Sequence, residues 1–365
     1  MKFSLLSENL NPKLSIISHA VSSRSQLAIL LNFLIVAKGN ELFISATDLE
    51  IGIISKIPAN VEEEGEITIP ARTFLELLSN INSGKINFYT ENDSLFIESA
   101  KSKTQLQTQD AKEFPVLYEK KGEEVISFDK NWLDKNLKRI VFAASIDSSR
   151  PDLTGVLIRE NSSEKAIVAT DGYRLSLEKM PSKGGKEISI IIPSRVVKEI
   201  MSLKEDGEVK TYVSSESNQA IFVQGDTEIV SRLIEGNFPE YEKIIPADLS
   251  IKATFSRVDM QNAVKTCWVF AKETSGIIKF SIGKDKITVS SSTPSIGNAN
   301  IEVEAKIEGE ENEIAFNGRY LNELLGNIDD EEIVFEMTGP LNAGVFKVVG
   351  NNNFLHLIMP IRVQE

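Results

Sequence analysis

The sequence predicts an α+β protein built from three tandem copies of one unit. Two observations carry that reading: a weak internal repeat of about 123 residues, and, within each copy, amphipathic helical stretches alternating with short β-rich runs bounded by turn residues. At 365 residues and 41% apolar content, the chain is long enough to bury several cores of ordinary domain size.

Three landmarks keep the period. Ile69-Pro70-Ala71-Arg72, Ile192-Pro193-Ser194-Arg195 and Phe316-Asn317-Gly318-Arg319 each open a helical pattern, with the arginines spaced by 123 and 124 residues. The apolar pairs Leu77/Leu78, Ile200/Met201 and Leu324/Leu325 then recur in register, as one buried helical stripe requires. The second landmark is Thr47-Asp48, Thr170-Asp171 and Thr293-Pro294, each closing a β-rich run at intervals of 123. The third is Phe114-Pro115, Phe238-Pro239 and Met359-Pro360, where the last interval shortens to 121, as a small deletion would leave it.

Each unit also begins with an amphipathic helix. Its apolar stripe is Leu10, Leu14, Ile17 and Val21 in the first copy, Leu133, Leu137, Ile140 and Val141 in the second, and Met260, Ala263, Val264 and Cys267 in the third. Asp129 is the expected N-cap of the second, and Lys13, Lys130, Lys135, Lys138, Arg139 and Lys265 take positions off the stripes. The β-rich runs are bounded by clusters such as Ser83-Gly84, Glu91-Asn92-Asp93, Ser215 to Asn218 and Asn351 to Asn353, which favours antiparallel hairpins. Polar, turn-prone stretches place the expected domains at 1–121, 122–247 and 248–365.

Composition excludes several classes of function. One cysteine, Cys267, allows no internal disulfide, and His19 and His356 alone make no metal cluster, so no metal or other cofactor is expected. Acids such as Asp48 and Asp171 are isolated at turns, without a nucleophile elbow or phosphate loop, so no catalytic residue is assigned and an enzyme is not expected. The N-terminus lacks the apolar run of a signal peptide and no stretch has the length of a membrane span, so a cytoplasmic location without membrane attachment is expected rather than a surface scaffold.

The net charge of −13 argues against a general nucleic-acid binder, but it does not fix where the cations lie. The helix faces carry Lys13, Arg72, Lys135, Lys138, Arg139, Arg195, Lys198 and Lys265, while acidic runs such as Glu62 to Glu64, Glu308 to Glu311 and Asp329 to Glu332 lie in expected loops and outer strands. Three similar units form an arc, and two arcs close by pairing their ends. Twelve inward helices at about 9 Å spacing trace roughly 110 Å, leaving an opening on the order of 25 Å, the scale of a DNA duplex. Binding of that kind would be independent of sequence and sensitive to salt.

Four local segments make a resemblance specific: Arg150-Pro151-Asp152-Leu153-Thr154-Gly155-Val156-Leu157, Ala169-Thr170-Asp171-Gly172-Tyr173-Arg174-Leu175-Ser176, Glu235-Gly236-Asn237-Phe238-Pro239-Glu240-Tyr241 and Leu357-Ile358-Met359-Pro360-Ile361-Arg362. In order and spacing they resemble the beta sliding clamp family, the beta subunit of bacterial DNA polymerase III, over essentially the whole chain. The resemblance implies a head-to-tail homodimeric ring of clamp-type domains, with antiparallel sheets outside and two helices per domain inside, that encircles double-stranded DNA and is loaded by an ATP-dependent clamp loader. It also implies a hydrophobic pocket for short peptides of the polymerase III alpha subunit, the clamp loader, other DNA polymerases, ligase and mismatch-repair proteins.

By matching motif, that pocket comprises Leu153, Thr154, Gly155, Thr170, Gly172, Arg174, Leu175, Pro239, Lys243, Ile244, Tyr320, Met359, Pro360 and Arg362. Its apolar members would receive a partner's Leu or Phe, and Thr170, Arg174 and Arg362 would orient the peptide backbone. Arg24 and Arg72 match positions near the DNA backbone, and Leu106 matches the dimer contact. Gln26 and Ala28 depart from the family's usual Thr and Pro, Asp147 places an acid in the loop before Arg150, Thr104 is more polar than the family norm, and Val363 to Glu365 extend the chain past the pocket motif.

Overall fold

The computed structural model describes residues 1–81, 84–182, 184, 187–214 and 216–362. The turn residues Ser83 and Ser215 and the terminal Val363, Gln364 and Glu365 lie outside these.

All three repeats share one topology among the described residues. In each, an entering strand leads into a helix; four strands form one sheet around a second helix, and the entering strand joins the three that follow that helix in another sheet. The helices are α1 (Ser7–Ile17), α2 (Ala71–Ser79), α3 (Lys130–Val141), α4 (Ser194–Ser202), α5 (Arg257–Ala271) and α6 (Gly318–Asn327). Two helices per repeat were expected, and the anticipated signals position them. The strands Gly65–Pro70, Ile188–Pro193 and Asn312–Asn317 end where α2, α4 and α6 begin, and the side chain of Asn317 accepts the Arg319 N–H at 3.0 Å. Asp129 accepts the Trp132 N–H at 2.9 Å, as an N-cap should. The apolar stripes are buried as expected, except that Val21 lies beyond α1, which ends at Ile17, and that Leu77 and Met201 are only half-buried.

The chain forms two compact units, Met1–Trp132 with Arg195–Leu233, and Leu133–Ser194 with Ile234–Glu365. The central repeat divides between them because its two sheets hydrogen-bond to different neighbours.

In the first unit, a five-stranded sheet runs Asn60–Glu63, Lys2–Leu6, Lys85–Glu91, Ser94–Glu98, Lys103–Gln107. An eight-stranded sheet runs Glu123–Asp129, Glu208–Ser214, Gln219–Gln224, Thr227–Arg232, Ile51–Pro58, Glu41–Thr47, Asn32–Lys38, Gly65–Pro70. Its middle seam pairs Ser231 with Ile51, joining the last strand of the second repeat to the third hairpin strand of the first. Phe74 of α2 packs 6.3 Å from both Phe33 and Phe88, one from each sheet, so the helix bridges the two sheets over a shared apolar core.

The second unit holds one twelve-stranded sheet: Ile188–Pro193, Gly155–Glu160, Glu164–Thr170, Arg174–Pro181, Asn351–Ile358, Gly344–Val348, Glu332–Met337, Ile251–Ser256, Gly297–Glu308, Lys286–Thr293, Ile277–Ile282, Asn312–Asn317. Here the seam pairs Arg174 with Ile358, again joining a last strand to a third hairpin strand. Alternation explains the strands: in Ile251–Ser256, Ile251, Ala253 and Phe255 face inward and the residues between them are half-buried. The core below is aromatic, with Phe280, Phe316, Phe335 and Phe346 meeting at centroid distances of 4.9 to 6.1 Å. Cys267 is fully buried there, and burial raises its thiol above the usual range.

The third landmark needs correction. Phe114-Pro115 and Phe238-Pro239 lie in loops several residues past the last strand of their repeats, whereas Met359-Pro360 follows the strand Asn351–Ile358 directly. Met359 N donates to Tyr173 O at 2.8 Å, and its counterpart at the other seam is Arg232, whose N donates to Glu50 O at 3.2 Å. The shortened interval matched two different structural positions.

Candidate partner-peptide site

All fourteen residues expected to form the peptide pocket belong to the second unit. The turn between the strands Glu164–Thr170 and Arg174–Pro181 organises them. Asp171 Oδ1 accepts the N–H groups of Tyr173 and Arg174 at 2.9 and 3.0 Å, and the Thr170 hydroxyl donates to Arg174 O at 2.6 Å while accepting the Gly172 N–H at 3.0 Å. Gly172 turns with φ of +90°, which a side chain would oppose.

This closed turn aims Arg174 inward rather than at solvent. Only 4% exposed, its guanidinium meets Asp171 at 3.1 Å, Glu323 at 2.5 Å and the Phe142 carbonyl at 2.8 Å. It also lies over the rings of Tyr320 and Phe142, at 4.5 and 5.2 Å. Burial would raise the Glu323 carboxyl, but Arg319 and Arg174 hold it below the usual range; burial also pushes the Tyr320 hydroxyl up. Arg174 thus ties the turn of the second repeat to α6 of the third. Neither Glu323 nor Phe142 was foreseen, since nothing at either position marks it as reaching a residue so distant in the chain; Glu323 showed only its i, i+4 spacing from Arg319.

The remaining residues sort by exposure. Leu153, Gly155 and Leu175 are buried, Leu175 in a cluster with Tyr241 and Leu357. Thr154, Tyr320 and Pro360 are half-buried, while Gly172, Pro239, Lys243, Ile244, Met359 and Arg362 are exposed. Ile244 and Met359, 50% and 44% exposed, are the large apolar side chains of the set that reach the surface. The segment carrying Pro239 and Ile244 is anchored by Tyr241, which is buried, accepts from Arg159 at 2.8 Å and has its hydroxyl pushed up to about 12, chiefly by burial. Thr170 and Arg174 were expected to orient a peptide backbone. Their polar atoms are instead taken up within the fold, and the exposed cations of the set are Arg362 and Lys243, the latter paired with Glu240.

The expected DNA-facing cations are not equivalent. Arg24, Lys135, Lys198 and Lys265 are exposed and make no ion pair among the described residues. Arg72 is exposed but paired with Glu76 at 3.1 Å, Lys138 with Asp329 at 2.8 Å and Arg195 with Asp48 at 2.5 Å; Lys13 pairs with Glu205. Arg139 must be withdrawn: it is 2% exposed, bonded to Asn136 at 2.7 Å and beside Glu178 and Asp330. Its position on α3 faces the sheet, and a guanidinium sealed among carboxylates cannot meet a phosphate. Gln26 and Ala28 are exposed beside Arg24, Asp147 lies 3.7 Å from Arg150, and Thr104 and Leu106 are half-buried on the edge strand Lys103–Gln107. Among the described residues, no group of three or more His, Cys, Asp or Glu could hold a metal ion, and no helix is long and apolar enough to cross a membrane.

Three tandem repeats of common topology, the first with the added strand Asn60–Glu63, and exposed apolar side chains near an ion-paired turn define a repeat protein of the clamp type. Sequence profiles for the DNA polymerase III beta subunit match the N-terminal domain over residues 1–118, the central domain over 127–240 and the C-terminal domain over 242–362. The chain belongs to the DNA polymerase III beta subunit family. It is 30% identical over 376 aligned positions to the beta sliding clamp of Staphylococcus aureus, covering 99% of each chain, and 30% identical over 357 positions to that of Staphylococcus epidermidis, covering 94% of each. Its structure is similar to the sliding clamp of Bacillus subtilis, with TM-score 0.94 and 27% identity, and to the beta subunit from Thermotoga maritima, with 0.92 and 26%; both comparisons cover 100% of each chain.

Proposed function

We propose that this protein is a DNA sliding clamp and processivity factor: two chains joined head to tail encircle duplex DNA and tether the replicative polymerase without catalysing a reaction. The observation that carries the ring is a strand seam used twice. Thr227–Arg232 joins Ile51–Pro58, and Asn351–Ile358 joins Arg174–Pro181. The same rule leaves one unmatched edge of each kind among the described residues. Lys103–Gln107, the last strand of the first repeat, ends its sheet, and the Gly297–Glu304 stretch of the third repeat pairs only with Lys286–Thr293. Open edges of this sort pair readily with another chain. A third seam between Lys103–Gln107 of one copy and Gly297–Glu304 of another, with Leu106 packed at the contact, would close a dimer and leave neither of these two edges unpaired.

The exposed Arg24, Lys135, Lys198 and Lys265 then meet phosphates in the central opening, assisted by Arg72 and Arg195 once phosphate competes for their carboxylate partners. Ile244, Met359 and the half-buried Pro360 receive peptides from the polymerase alpha subunit, an ATP-dependent clamp loader, and other polymerases, ligase and mismatch-repair proteins. Met suits such shared use because its flexible side chain repacks. In this reading the domains span 1–121, 122–247 and 248–365, and the protein works in the cytoplasm, where replication takes place.

The test is topological. Loaded on a nicked circle, the protein stays bound in salt that dissociates simple electrostatic complexes, and it slides off when the circle is cut. Equal retention on linear and circular DNA would refute encirclement.

A further inference from the structure

We propose that the first unit carries a second peptide-docking cleft, at the position related by the internal repeat to the site above, and that it takes a short extended peptide with an apolar side chain followed by an acidic one. The comparison rests on the peptide-site reading; the cleft itself does not. It is a shallow, open cleft of about 60 Å³ between the turn after the strand Glu41–Thr47, the loop that follows Phe114 and the strand Thr227–Arg232.

The frame of this cleft reproduces that of the other. The Thr47 hydroxyl donates to Ile51 O at 2.9 Å and accepts the Leu49 N–H at 3.0 Å, while Asp48 Oδ1 accepts the N–H groups of Glu50 and Ile51 at 3.1 and 2.9 Å. These are the bonds made by Thr170 and Asp171, 123 residues later. Arg232 N donates to Glu50 O as Met359 N does to Tyr173 O.

The contents differ in ways that open the cleft and change its charge. Gly52 stands where the other site has Leu175, and a Cβ at Gly52 would come within 2.9 Å of the Leu117 side chain, which would have to shift to admit it. Leu117 in turn replaces the larger Tyr241. Leu49 takes the place of Gly172 and holds φ of +77°, a region leucine rarely enters, with its side chain 43% exposed at the mouth. Val116, 79% exposed, forms the facing wall. Arg232 replaces Met359; it is exposed and its guanidinium makes no ion pair or hydrogen bond among the described residues. The lining is mixed, with Thr47, Glu50 and Gln219 among the apolar side chains. Leu49 and Val116 beside the unpaired guanidinium suit a peptide whose apolar residue enters the cleft and whose carboxylate forks onto Arg232, on the side away from Glu50.

The test uses the full-length protein with methyl-labelled Leu, Val and Met, titrated with N-acetyl-Phe-Leu-Glu-amide and with its twin ending in Lys. Saturable shifts of the Leu49, Leu117 and Val230 methyl signals with the Glu peptide are expected. Arg232→Glu should weaken that peptide about tenfold and reverse the preference toward the Lys twin, and Val116→Asp should weaken both. Both variants alter exposed side chains, and unchanged methyl signals elsewhere report an intact fold. Silence at Leu49 and Leu117 up to millimolar peptide, or equal response to the two peptides in both wild type and Arg232→Glu, overturns the proposal. Leu175 and Met359 report the other site separately. Shifts there with silence at Leu49 overturn only this second cleft, and shifts at Leu49 with silence at Met359 support it while counting against the peptide-site reading.

Discussion

Replacing Arg174 with alanine removes one side chain and strands several others. The guanidinium is 4% exposed and serves Asp171, whose side chain is 14% exposed, and Glu323, at 30%; it also satisfies the Phe142 carbonyl and covers two aromatic rings. Removing one partner of a buried ion pair costs about 3–5 kcal/mol, because the carboxylates stay behind without their cation. Glu323 retains Arg319 at 2.7 Å, and both carboxylates reach some water, so the lower end, about 3 kcal/mol, applies. For a unit of this size that corresponds to a fall in melting temperature of roughly 6–12 °C. Arg174→Lys keeps the charge but not the fork or the ring stacking, and should recover only part of the loss. Calorimetry of the full chain, with urea unfolding as a second probe, measures both variants. A melting temperature for Arg174→Ala within about a degree of wild type would refute the claim that this residue braces the turn against α6.

Two further predictions concern proton uptake and assembly. His356 is fully buried, 2.6 Å from the Ser176 hydroxyl and 5.2 Å from the Phe142 ring, and burial, aided by Arg174, holds its imidazole well below its usual range. Below about pH 6.5 the unfolded chain therefore binds a proton that the folded chain refuses, and stability falls by up to about 1.4 kcal/mol per pH unit from this residue. Glu178, raised by burial, works in the opposite sense nearer the carboxylate range. His356→Gln should flatten the dependence of the urea midpoint between about pH 7 and pH 5.5, and an unchanged slope would exclude His356 as its source. Leu106→Asp would place a charge in the proposed seam, weakening the dimer by about 3 kcal/mol, roughly a hundredfold in Kd. Sedimentation at micromolar concentration should then show one chain rather than two, and an undiminished dimer would move the interface elsewhere.

The period, the helices and the turns were legible in the sequence because their causes are local. A Thr-Asp turn closes on its own backbone, an Asn or Asp caps the helix it precedes, and an apolar stripe needs only helical spacing. Three copies of one pattern therefore announced three copies of one fold. Most of the residues expected for the pocket lie in four contiguous motifs, which is why a sequence reading could propose them; Lys243, Ile244 and Tyr320 lie outside those motifs.

Tertiary structure decided where each charge went and which strands met across repeats. Nothing about Arg139 in its helix separates it from Lys135, four residues away on the same helix, yet one is sealed against Glu178 and the other meets solvent. Nor does the order of residues reveal that Arg232, rather than Phe238 of the Phe-Pro pair, is the counterpart of Met359, because that equivalence is made by backbone hydrogen bonds at two seams. Local propensity acts through neighbours in sequence, whereas burial and pairing act through neighbours in space, and the second kind of neighbour exists only after the chain has folded.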